Sequence, residues 1–206
     1  MAEHGDSDYF NFYRPHKRGL LPIADLHISR RLRKTLRQHP FRITVDEAFE
    51  TVIDSCAKTH PGTKRNNTWI SKGIRDAFVT LHEQGHAHSV ECWRGKAFAG
   101  GIYGLKIGGV FCGESMVSLL TDASKVSLCH LAARLWRGGF TVFDAQFSNP
   151  HLEQFGLYEI PQGQYEKIIR TDMNKPASWT GTLSPREEQQ LLDDYLRIKA
   201  TALAGI

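Results

Sequence analysis

Within His82–Trp93, HEQGHAHSVECW, lie three histidines, two carboxylates and a thiol. If the imidazoles of His82, His86 and His88 converged they could ligate zinc. However, Gly85 separates a helix end from the strand that follows, and no second histidine or carboxylate cluster completes a catalytic set. The three are therefore read as capping, packing or hydrogen-bonding groups, and no metal is expected. Ser115 and Ser118 raise a nucleophile, but the run Cys112-Gly-Glu-Ser-Met116 lacks the GxSxG elbow that would expose one. Gly100-Gly101 and Gly108-Gly109 lack the GxGxxG or GKS context of phosphate loops and read as strand turns or close backbone approaches. More pointed are polar groups set in apolar strands: Glu114 in VFCGESM, and Asp144 with Gln146 in FTVFDAQ. A carboxylate among Val, Phe and Met is desolvated at a cost unless it has a partner or a task. Both are functional candidates, with a hydrogen-bonded carboxylate that merely supports the sheet as the alternative.

These residues need elements to hold them. Ser29 can cap a short basic helix, RRLRKTLRQ, that Pro40 ends. Thr44 and Glu47 have the spacing of a capping box ahead of Val45, Ala48, Phe49, Val52, Ile53 and Cys56. The loop HPGTKRNN (60–67) leads to Trp69, and Ser71 opens a helix stopped by Gly85. Then the period changes: HAHSVECW, KAFAGGIYGLKI and GVFCGESMVS alternate or run apolar between RG and GG turns, as in an antiparallel meander. Asp122 is expected to cap a helix stopped by Gly138-Gly139, and FTVFDAQ is a short buried strand. HLEQFG, YEKIIR and PREEQQLLDDYLRI suggest further helices. Residues 1–22 read as an irregular lead-in. Helices before a meander, then helix and strand, imply a mixed α/β (α+β) sheet flanked by helices.

Composition narrows the class. A chain of 206 residues with 41% hydrophobic content can bury one core, or a core and a small lobe. Its apolar runs fall short of the roughly 20 residues that span a bilayer, and MAEHGDSDYF lacks the parts of a signal peptide. A soluble, cytoplasmic protein without a membrane partner is expected. Cys56, Cys92, Cys112 and Cys129 show no CxxC spacing and read as reduced core thiols. Net charge is +4, yet Arg14–Arg42 carries nine Lys/Arg against the single acid Asp25, so the rest is net acidic. Such a block reads as a phosphate footprint or, on charge alone, as a solvated helix face.

TWI (68–70), LHEQGHAHSVECW (81–93), GGIYG (100–104), FCGESM (111–116), DASK (122–125) and DAQFSNPHL (144–152), in this order, resemble the leucyl/phenylalanyl-tRNA-protein transferase family over about Arg14 to Tyr165. The resemblance implies an acetyltransferase-like fold and transfer of Leu or Phe, possibly Met, from aminoacyl-tRNA to the α-amino group of proteins beginning with Arg or Lys. That transfer marks the acceptor for degradation in the N-degron pathway. No cofactor is implied, and a monomer is expected. By motif position Asp144 would accept from Gln146 and polarise it, Gln146 would contact the attacking amine, and Glu114 with Asn149 would hold the acceptor terminus. Ile102, Phe111, Met116, Leu131, Leu135 and Phe143 would line the aminoacyl pocket. Trp69 would stack on the terminal adenosine, assisted by Phe12 or Tyr13. Arg14, Lys17, Arg18, Arg30, Arg31, Arg33 and Lys34 would contact acceptor-stem phosphates. The family's YxxGxFP motif is absent, and Val117 and Phe78 replace the usual Phe and Tyr. The implied organisation is a short basic segment, 1–42, remaining from a truncated N-terminal lobe, followed by a catalytic domain, 43–206. A related transferase of different specificity, a tRNA-end binding module without catalysis, and an acetyl-CoA enzyme are the competing readings.

Overall fold

The computed structural model describes residues 11–58 and 68–203; the first ten residues of the lead-in and the expected loop 60–67 lie outside them. In chain order the elements are β1 (Lys17–Leu21), α1 (Arg30–Arg37), β2 (Arg42–Val45), α2 (Phe49–Ala57), α3 (Lys72–Glu83), β3 (Ala87–Arg94), β4 (Ala97–Ile107) and β5 (Val110–Ser118). They continue with α4 (Ala123–Arg137), β6 (Val142–Gln146), α5 (Pro150–Glu153), β7 (Tyr158–Pro161), α6 (Gln162–Asp172) and α7 (Pro185–Leu203). One seven-stranded mixed sheet runs β2-β3-β4-β5-β6-β1-β7, which is the mixed α/β class expected. The meander β3-β4-β5 is antiparallel, and β6 joins β5 in parallel after the crossover through α4.

The local signals hold where glycine and hydroxyl chemistry decides. Ser29 accepts from the Leu32 N–H at the start of α1, and Ser71 accepts from the Ile74 N–H at the start of α3. Gly85, Gly95, Gly108 and Gly139 take positive φ at the helix stops and hairpin turns. Three expectations are corrected. Lys17–Leu21 is a strand, antiparallel to both β6 and β7, so the lead-in ends inside the sheet. Thr44 opens no helix: it belongs to β2, its hydroxyl donates to the Glu91 carboxylate, and α2 starts at Phe49 without a side-chain cap. Asp122 does precede α4, but at φ 65 its carboxylate turns to Arg31 and Lys125 instead of capping.

The main core lies between the sheet and α4, which is buried along nearly all its length, with α7 laid over it. Leu191, Leu192 and Tyr195 of α7 are fully enclosed, and Tyr195 donates to the Ile23 carbonyl at 2.6 Å. Between the two helices Arg134 and His130 both bond Glu188. Although burial opposes ionisation, the bonds from His130 and Arg134 hold the Glu188 carboxyl down to about 2. A second apolar cluster, around Phe49, Ile53, Ile70 and Tyr103, fills the opposite face under α2 and α3. Among the described residues no helix is long and apolar enough to cross a membrane.

Candidate active site

A cavity of about 520 Å³ opens beside β4, β5 and β6, bounded by α4 and by the segment after β6. That volume lies in the range that holds a small ligand or the end of a larger one. Leu21, Ile102, Met116, Leu128, Phe143 and Leu152 supply its apolar wall, and Glu114, Gln146, Ser148 and Asn149 its polar one. Two strand irregularities aim the polar groups. Tyr103 pairs with Ser115 but Gly104 pairs with Gly113, so Glu114 is the extra residue of a bulge in β5. Gly104 permits the close approach there: a Cβ on it would stand 2.2 Å from the Cys112 carbonyl oxygen. In β6 Gly19 pairs with Gln146 and Leu20 with Asp144, which leaves Ala145 extra, and Gln146 adopts φ 66. Positive φ in a glutamine persists only where its surroundings enforce it.

The bulges bring together two residues 32 apart in sequence: Gln146 Nε2 donates to Glu114 Oε2 at 2.9 Å and to the Gly113 carbonyl at 3.2 Å. Both amide hydrogens are thereby used, which leaves Oε1 as the acceptor of this side chain. Burial raises the Glu114 pKa, opposed by the Gln146 hydrogen bond and reinforced by the charge of Asp144. Asp144 itself is 0% exposed and is not among the residues lining the cavity. It accepts from Arg18 Nε at 2.9 Å and Nη2 at 2.6 Å, from the Tyr165 hydroxyl at 2.7 Å, and from the Gln146 backbone N–H at 2.8 Å. The contact expected between Asp144 and the Gln146 side-chain amide is thus made by the backbone, and the amide faces Glu114.

Of the residues expected around an aminoacyl group, Ile102, Met116 and Phe143 line the cavity. Phe111, Leu131 and Leu135 do not: Phe111 stacks on Trp179 with centroids 5.6 Å apart, and the two leucines are buried on α4 beyond Leu128. Leu128 and Ser124, on the first turns of α4, and Leu21 at the end of β1 take their place and were not anticipated, nor was His151. A cavity-facing stripe on α4 was recoverable from its spacing, but its depth was not. Trp69 is on the cavity wall, packed also against the α2–α3 cluster. Asn149 lines it too, with Oδ1 accepting from the Leu152 N–H. Phe12 is 93% exposed.

The basic residues divide. Arg18 is spent on Asp144, Arg14 bonds Glu166 at 2.5 Å, Lys17 lies 3.5 Å from Glu159, and Arg31 lies 3.3 Å from Asp122. Arg30 and Lys34 are exposed on α1, and Arg33 is half-buried. The histidines that open the chemistry are dispersed in role: His82 Nδ1 meets the Ala87 carbonyl and its ring stacks on Phe49, while His88 bonds Asp46 and stacks on Trp179. His86 is exposed.

Residues 20–170, well over half of the chain, match the family model described as leucyl/phenylalanyl-tRNA protein transferase. The chain belongs to this family. It is 48% identical over 165 residues to the leucyl/phenylalanyl-tRNA–protein transferase of Phenylobacterium zucineum, an alignment covering 80% of this chain and 74% of that one. The protein of the same name from Nitrobacter winogradskyi is 47% identical over 82% of this chain and 74% of its own. That from Maricaulis maris is 46% identical over 82% and 77%. This leucyl/phenylalanyl-tRNA protein transferase family member is accordingly an aminoacyltransferase, and the matched span contains Asp144 as well as Glu114, Gln146 and the cavity those two line.

Proposed function

We propose that this protein transfers leucine or phenylalanine, with methionine as a further donor, from aminoacyl-tRNA to the N-terminal α-amine of proteins beginning with Arg or Lys. The observation that carries the reading is the Glu114–Gln146 pair on the polar wall of a cavity whose other wall is apolar. Family membership supplies the reaction class; the cavity supplies the fit. An aminoacyl ester is already activated, so the protein's task is to bring ester and amine together in line, which lowers the barrier by orientation. The aminoacyl side chain lies against Ile102, Met116, Leu128 and Phe143, where unbranched-at-Cβ apolar groups are desolvated. Trp69 offers a flat face to the terminal base.

Glu114 attracts the cationic acceptor terminus through charge-assisted hydrogen bonds, and its amine, with an ordinary pKa near 7.7–8.0, is partly neutral at neutral pH. Gln146 Oε1 then accepts one N–H of that neutral amine and directs its lone pair at the ester carbon. The C–N bond forms, the C–O bond to the ribose breaks, and the proton lost by nitrogen ends on the ribose oxygen. Asp144, enclosed by Arg18 and Tyr165 and off the cavity wall, touches neither reactant in this scheme. We assign the exposed cations of α1 to the tRNA acceptor stem, place the protein in the cytoplasm as a monomer, and read the product as a degradation substrate.

Incubation with Leu-tRNA and a peptide beginning with Arg tests this: the peptide gains the mass of one leucine on its α-amine. A peptide beginning with Ala remains unmodified. Hydrolysis or binding of Leu-tRNA without transfer overturns the reading in favour of a tRNA-end binding module, and transfer from acetyl-CoA alone overturns it in favour of an acetyltransferase.

A further inference from the structure

The way Asp144 is held carries the proposed reaction one step further. Four donors converge on this one carboxylate: two guanidinium nitrogens of Arg18 from β1, the hydroxyl of Tyr165 from α6, and the Gln146 backbone N–H. Arg18 reaches the carboxylate from more than a hundred residues away, and its guanidinium also lies over the Tyr165 ring, 4.9 Å from the centroid. Burial and the neighbouring Asp144 charge both push the Tyr165 hydroxyl up, so it stays a donor. The three contacts from Arg18 and Tyr165 therefore fix the carboxylate, and the Gln146 N–H is the one that passes this order on to the cavity. Gln146 is the residue that needs it, because its φ of 66 is a conformation glutamine leaves when unsupported. Were it to leave, its amide would no longer face Glu114.

Resting on the transfer activity assigned above, we propose that Arg18 and Tyr165 are positioning residues: through Asp144 they lock the Gln146 backbone and so aim its side chain at Glu114 and the reacting amine. Arg18 thereby belongs to the acyl-transfer site and not to the phosphate-binding set.

Tyr165→Phe removes one hydroxyl and leaves Arg18 and the Gln146 N–H on the carboxylate, while Arg18→Lys keeps the charge and loses the fork. For both, kcat for leucine transfer falls about tenfold or more at a KM for Leu-tRNA near that of the wild type, since misplacement of reacting groups acts on rate. In a Gln146→Ala background Tyr165→Phe slows transfer no further, because residues acting through one another are non-additive. Multiplicative losses, or a change in KM alone, overturn the proposal. Amide hydrogen exchange at Gln146 decides independently of activity: faster exchange in Tyr165→Phe is expected, and unchanged exchange contradicts the lock. A wild-type protein that transfers nothing contradicts the assigned reaction instead, and the exchange measurement still judges the lock.

Discussion

Gln146 Nε2 stands 2.9 Å from Glu114 Oε2, although the two residues belong to different strands and each sits at an irregularity of its own strand. A regular β5 and a regular β6 would present alternate side chains to the two faces of the sheet. The extra residues, Glu114 in one and Ala145 in the other, re-aim both polar groups to one cavity. The site is thus assembled from departures from regularity, and its energetics follow from the burial of Glu114.

Burial raises the Glu114 pKa, so folding favours its protonated form. Its contribution to stability is full below the unfolded value of about 4.5 and is lost as the pH rises through the higher folded value. Glu114→Gln should therefore raise the thermal midpoint at pH 8 and leave it unchanged near pH 4. The same substitution weakens the acceptor site, and the KM for an Arg-initiated peptide rises roughly ten- to hundredfold, the worth of a hydrogen bond to a charged group. Calorimetry at the two pH values and peptide titrations check both halves.

Arg30 and Lys34 project from α1 into solvent. Each neutralisation, Arg30→Ala or Lys34→Ala, should lower tRNA affinity and reduce the slope of log affinity against log salt by about 0.7–0.9. Arg31, 3.3 Å from Asp122, should change the slope less. Filter binding of tRNA over a salt series measures all three, with the affinity for the acceptor peptide as the quantity that should not move.

Glu188 joins α7 to α4 through the buried Arg134 and His130. Glu188→Ala leaves Arg134 without its counter-ion and should cost about 3–5 kcal/mol of unfolding free energy. Because the folded carboxyl is held down to about 2, the stability it contributes is full above about 4.5 and is lost as the pH falls towards 2. Urea unfolding of the wild type should weaken over that window, and Glu188→Gln should flatten the dependence.

Much of the fold was legible because its signals are local. The meander shows its period and its Gly95 and Gly108 turns, α3 its Ser71 cap and Gly85 stop, and α4 its unbroken apolar length. What was not legible depends on partners distant in sequence. KRGLL has too few residues to announce a strand, and it becomes β1 only because β6 and β7 pair with it from more than a hundred residues away. Thr44 has capping-box spacing to Glu47, yet the buried Glu91 carboxylate across β3 claims its hydroxyl. Glu114, Asp144 and Gln146 stood out as polar residues in apolar strands. Their division of labour did not, since alternation puts Asp144 and Gln146 on one face, whereas the bulge at Ala145 buries the first and turns the second to the cavity. Likewise helical spacing puts Leu128, Leu131 and Leu135 on related faces of α4, but only Leu128 reaches the cavity.

The central claim, that acyl transfer takes place at the Glu114–Gln146 pair, is tested most directly by the single-turnover rate at which labelled leucine passes from saturating Leu-tRNA to an Arg-initiated peptide. Wild type and Gln146→Ala are compared. The account predicts a loss of about a hundredfold in rate, the scale expected when a reacting group is misplaced, with Leu-tRNA binding unchanged. A Gln146→Ala protein that transfers leucine at the wild-type rate would contradict it.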